Sequence, residues 1–193
     1  MSSREILVRL RQETLAEHKA LEGSLNLMDD GLTTAGYVST LRQFYGFVLP
    51  WEKVADQACP HHLRPFFQQR RRAHRIAEDM LFFDAEPSPG IPDLPAISSP
   101  GGFLGTMYVM EGSTLGGQFI SRHLERVLGL REGVGYSYFR AYGAETSTMW
   151  KEFCAVLSRE AEPMNSAEIV TSAAMTFRAF RTWLSPNKGP SAV

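Results

Sequence analysis

The chain has 193 residues, 44% hydrophobic and 21% charged, with a formal net charge of -1. These values predict one soluble domain with an ordinary core and exclude a global attraction to nucleic acid or anionic membrane. Two cysteines, Cys59 and Cys154, with no C-x-x-C pair, exclude a disulfide framework and predict reduced thiols in a cytoplasmic protein.

Ser2 and Glu5 have capping-box spacing, and Leu7, Leu10, Thr14, His18, Leu21 and Leu25 follow at steps of three or four. They predict a first helix of about five or six turns. Thr33 or Thr34 caps a second, whose apolar stripe is Tyr37, Leu41, Phe44, Phe47, Val48 and Trp51, with Pro50 as a kink or a break. Pro60 and Pro65 frame a restart running through FFQQRRRAHRIAEDMLFF. The Pro- and Gly-rich segment 84–102 reads as an ordered crossing loop.

Ser98 or Ser99 before Pro100 starts a helix ending near Gly129. Its apolar window, 102–120, contains Glu111 and several small or polar residues, so it fails as a membrane span. REGVGYSYFRAYG is a turn-rich connection. Two further helices fit AETSTMWKEFCAVLSREAE and NSAEIVTSAAMTFRAFRTWL, the latter opening on Asn165 and Glu168 in capping-box spacing and stopping at Ser185-Pro186. No β-alternating run or internal repeat occurs. The expectation is an all-α single domain over 1–185, of about six to eight helices, with a flexible tail over 186–193.

The helix containing YVMEGSTLGGQFISRHL carries Gly112, Gly116 and Gly117. Each interior glycine costs roughly 1 kcal/mol relative to alanine, so a compensating interaction is expected. Glycine permits close approach to another body, either a packed helix through the G-x-x-x-G of Gly112 and Gly116 or a ligand. Among the histidines, His18 lies on the apolar face of the first helix, where its ring needs a partner: a neighbouring helix or a metal. His61 and His62 sit in a Pro-flanked turn; His74 and His123 read as surface groups. No Cys/His quartet suits zinc, and no Glu-x-x-His pair suits a di-iron centre. Together, His18 and the glycine-bearing helix suggest two walls of a slot for a flat, metal-bearing cofactor.

With LRQETLAEHKALE and YVMEGSTLGGQF in this order and separation, the chain resembles the haem oxygenases, especially bacterial members that supply biliverdin to bacteriophytochromes. TFRAFRTWL adds a weaker likeness. The resemblance implies a haem slot between a proximal and a kinked distal helix. Haem would be both cofactor and substrate, opened with O2 and electrons to biliverdin, Fe2+ and CO.

His18 would be the iron ligand. Gly112, Ser113 and Gly116 would form the catalytic wall, with Gly117 and Phe177 against the haem, and Arg11, Tyr108 and Lys151 as propionate partners. Many members carry an aspartate where this chain has Ser113, leaving a hydroxyl to hold the water network; Glu111 reads as a partner for an arginine of another helix. Arg71, Arg72 and Arg75 form either a solvated face or a docking site for an acidic donor such as a ferredoxin or reductase. The competing readings are a haem carrier or sensor, and another enzyme on this scaffold, of the thiaminase kind.

Overall fold

Two helices open the chain where the sequence pattern predicts one. The computed structural model describes residues 3–162 and 164–185; Ser2 of the expected capping box and the expected 186–193 tail lie outside them. Helix α1 (Ser3–Glu13) and helix α2 (Leu15–Glu22) are separated at Thr14, whose dihedrals are φ -104 and ψ 2. The Thr14 hydroxyl donates to the Leu10 carbonyl at 2.6 Å, and such back-bonding competes with the helical ladder and bends it.

Helix α3 (Thr34–Ala58) passes unbroken through Pro50, and the Thr33 side chain caps it by accepting from Gly36 N at 3.1 Å. The next predicted run divides into α4 (Arg64–Gln68) and α5 (Ala73–Phe82). The division has a cause in the preceding helix. Buried Glu52 places Oε1 at 2.5 Å from Arg72 N and 2.9 Å from Ala73 N, so a carboxylate from α3 caps α5 and favours a new helix start there.

After the irregular crossing segment comes α6 (Pro100–Val127), 28 residues long. Ser99 caps it by accepting from Gly102 N at 2.9 Å, Pro100 takes the first helical position, and Gly129 follows its end at φ +68. The turn-rich connection holds α7 (Ser137–Arg140) and three glycines at positive φ: Gly133, Gly135 and Gly143. Helices α8 (Thr146–Ala161) and α9 (Ser166–Leu184) complete the fold. Asn165 caps α9, but Glu168 does not close the expected box; it accepts from the Ser99 hydroxyl and ties α9 to the start of α6. The described residues therefore form nine α-helices, more than expected because two predicted runs break and the connection contains a short helix.

Helix α6 is the spine. From Gly101 to Glu111 every residue except Tyr108 is buried. Helix α9 crosses this half so closely that a side-chain carbon on Gly105 would lie 2.3 Å from the Ile169 carbonyl oxygen. The aromatic core behind includes Phe47 stacked on Phe180 at 4.2 Å and Phe44 packed against Tyr138, Phe139 and Phe180. Enclosure ends at Glu111. Beyond it, Ser113, Leu115, Gly116 and Phe119 are exposed.

Candidate functional site: a slot between α2 and α6

Tyr108 marks the closed end of the slot. Its hydroxyl interacts with the Thr14 side chain at the α1–α2 break; burial raises the phenol's pKa, with Cys154 adding to the rise and Arg11 and Thr14 opposing it. His18 lies one helical turn beyond Thr14, and Gly112 one turn beyond Tyr108. Helix α2 packs mainly on α9.

Along α6, positions 112, 115, 116 and 119 share a face, since steps of three and four residues return to the same side. That face is apolar and uncovered: Leu115 is 38% and Phe119 65% exposed. A side-chain carbon on Gly112 would meet only Trp150, at 3.8 Å, and one on Gly116 would meet nothing within 4 Å. The fold itself therefore requires glycine at neither position, and the close-packing explanation of their G-x-x-x-G fails. Packing glycines do exist in α6, at 101, 105 and 117. Gly117 is glycine because a side-chain carbon there would lie 2.2 Å from the Phe139 carbonyl oxygen, which corrects the expectation that it faces a cofactor.

On the α2 wall, Leu15 is 44% exposed and the His18 side chain is 50% exposed, with Nε2 3.3 Å from Glu22 Oε1. The expected face is buried at Leu10, Thr14 and Leu21, while His18 on the same face is exposed. Phe177 of α9, buried, sets its ring 5.4 Å from the imidazole at 39°. Arg11 and Lys151 are exposed, on α1 and α8, and Arg11 is the one that acts on Tyr108.

Ser113 is exposed, and its hydroxyl donates to Met110 O at 2.7 Å while accepting from Arg72 Nη2 at 3.3 Å. Arg72 also donates to Met110 O at 2.6 Å and lies over the Tyr138 ring at 4.9 Å. Burial pulls its pKa down, and Tyr138, Tyr142, Glu111 and Glu52 more than restore it. The expected docking face of Arg71, Arg72 and Arg75 is thus corrected. Arg72 is buried, Arg71 pairs with Glu52 at 3.2 Å, and Arg75 donates to the Ala141 carbonyl.

Glu111 meets Arg70 at 3.3 Å with both side chains buried, and Tyr142 donates to it at 2.8 Å, in line with its expected role as an arginine partner. Burial raises its carboxyl pKa, which Arg72, Tyr142 and Arg70 offset in part. His123 is not on the surface. Its Nδ1 accepts from Arg126 at 3.0 Å, which leaves Nε2 to donate to Asp29 O at 2.9 Å.

Trp150 and Arg72 are the site neighbours that sequence reasoning missed. A signal for Arg72 exists: Glu52 and Glu111 are lone acids within apolar helical stretches, and buried carboxylates need cations. Two surface hollows lie elsewhere, one of ≈ 940 Å³ beside Trp183 and Arg178 and one of ≈ 330 Å³ beside Arg75 and Arg140. Neither includes His18 or the α6 glycines.

An imidazole on one helix and bare backbone on another, flanked by exposed apolar side chains and basic residues, fit a flat macrocycle carrying a metal and acidic arms. The class is that of helical proteins with a haem-sized slot. The chain belongs to the heme oxygenase family, whose model matches residues 4–186, and it is an enzyme that degrades haem. It is 28% identical to a heme oxygenase of Xanthomonas campestris pv. campestris (strain 8004) over 156 residues, covering 80% of this chain and 92% of that protein. Its fold is similar to that of the Neisseria meningitidis heme oxygenase studied in NO- and CO-bound forms, with a TM-score of 0.77 at 19% identity, covering 93% of this chain and 89% of that one. A heme oxygenase from Leptospira interrogans gives a TM-score of 0.73 at 21% identity, covering 96% and 99%. Among the described residues no helix is long and apolar enough to cross a membrane.

Proposed function

We propose that haem is held in this slot as both cofactor and substrate and is converted to biliverdin, Fe2+ and CO. The bound group supplies the iron that activates O2 with electrons from an external donor, and the ring that is opened. What supports this reading is the pair of glycines, 112 and 116, that the protein's own packing does not require, together with an exposed histidine on α2.

His18 would ligate the iron, with Glu22 close enough to orient the imidazole and Phe177 restricting its rotation. Arg11, Tyr108 and Lys151 would receive the propionates as charge-assisted hydrogen-bond donors. Gly112 and Gly116 leave only backbone over the reacting side, so any side chain there would narrow the oxygen site. Ser113 spends its proton on Met110 O and receives a hydrogen bond from Arg72. Its hydroxyl is exposed, so its remaining lone pair can accept from a water, which keeps one proton to give. The resemblance to bacteriophytochrome-associated members supports an apo-bacteriophytochrome as recipient of the biliverdin, and the free thiols Cys59 and Cys154 support a reducing, cytoplasmic setting.

The test is single-turnover degradation: purified protein is loaded with haem, then given reductant and O2, with biliverdin identified by chromatography and CO trapped by a globin. Loss of the haem spectrum with both products is expected. A haem spectrum that persists through repeated reduction in air would overturn the reading in favour of a carrier.

A further inference from the structure

We propose that Trp150 determines which edge of the haem ring is opened; this rests on the degradation reading above. The space over the two slot glycines is unequal. At Gly112 the indole stands 3.8 and 3.9 Å from where a side-chain carbon would begin, while at Gly116 nothing lies within 4 Å. The two positions are one turn apart, about 6 Å along the helix and about 40° around it. The slot is walled from the α8 side at one glycine and open at the next.

The wall is firmly mounted. Trp150 stacks on Phe153 at 5.6 Å and 29°, and Phe153 is fully buried. On its other flank the Tyr108 ring stands 5.9 Å away at 52°. These two rings, one on each flank, favour the indole's position beside Gly112. The four meso carbons of a haem lie in four directions, so the one that is opened would be the one whose direction the surrounding residues leave free. An indole at one end of the glycine pair closes one direction and leaves that of Gly116.

The experiment compares wild type, Trp150→Phe and Trp150→Ala. Each is loaded with haem, its ferrous CO complex is examined for the C–O stretching frequency, and the biliverdin isomers from one turnover are separated. In Trp150→Ala the stretch should shift and the share of a second isomer should rise at least about threefold, a modest change for the loss of one apolar wall. Trp150→Phe should stay near wild type in both. A Trp150→Ala protein that binds haem with an unchanged stretch and an unchanged isomer ratio overturns the proposal. Should the alanine variant fail to fold, Trp150→Leu, which keeps bulk but lacks the reach of the ring, takes its place with the same criteria. Wild type that binds haem and leaves it intact overturns the degradation reading instead, and the stretching frequency then still decides whether Trp150 walls the slot.

Discussion

Gly116 and Gly117 are neighbours in sequence with opposite reasons for lacking a side chain. The first faces open space within 4 Å, and the second faces the Phe139 carbonyl oxygen at 2.2 Å. One is dispensable to the fold, and the other is part of it.

Gly116→Ala should therefore stabilise the haem-free protein by about 0.5–1 kcal/mol, the helix-propensity difference, while impairing haem turnover. Gly117→Ala should destabilise it by more than about 2 kcal/mol, because α6 and α7 must separate to admit the methyl group. Urea unfolding of both haem-free variants decides the matter. Equal effects of the same sign would contradict the division.

His18→Ala removes a half-exposed ring whose contacts are Glu22 and Phe177. The haem-free variant should unfold within about 0.5 kcal/mol of wild type. Its haem complex should lose the spectral signature of imidazole ligation. An unaltered axial-ligand spectrum would remove His18 from the iron.

Arg72→Met should act on stability, not on donor docking. It removes a buried guanidinium that donates to Met110 O and Ser113, leaving a buried carbonyl short of a partner while Glu52 keeps Arg71 and Glu111 keeps Arg70, a loss of about 1–3 kcal/mol. The salt dependence of turnover with an acidic donor should be unchanged in whatever fraction remains folded. A weaker salt dependence with intact stability would restore the docking face.

Burial pushes the Cys154 thiol up to about 11. A raised thiol pKa means that folding favours the protonated form. The corresponding stability is fully present below the unfolded value near 9 and is lost as pH rises through about 11. At pH 8 the thiolate is scarcer by about 100-fold than in the unfolded chain, so alkylation of Cys154 should be slow in native protein and accelerate sharply in urea. Rapid native modification at pH 8, mapped by mass spectrometry, would show that the thiol is not buried as described.

The sequence made the helical periodicity, the Thr33, Ser99 and Asn165 caps and the two slot motifs readable, because each is set by residues within a turn or two of one another. What it concealed depends on partners far along the chain. The break before α5 comes from Glu52, about 20 residues upstream in sequence terms, and the buried arginines look from their own neighbourhood like a solvated cluster. Gly112, Gly116 and Gly117 are indistinguishable in the sequence. Only the position of Phe139 separates the glycine that the packing requires from the two that it does not.

Helix α6 is enclosed nearly all round up to Glu111, and afterwards only one face is bare, while Thr114, Gly117, Ser121, His123 and Leu124 stay buried on the other. A single rod thus serves as mast at one end and as tool face at the other. A mutant library confined to Gly112, Leu115, Gly116 and Phe119 could reshape the reaction chamber while leaving the hydrophobic interior untouched, making these four positions the natural handles for redirecting product choice.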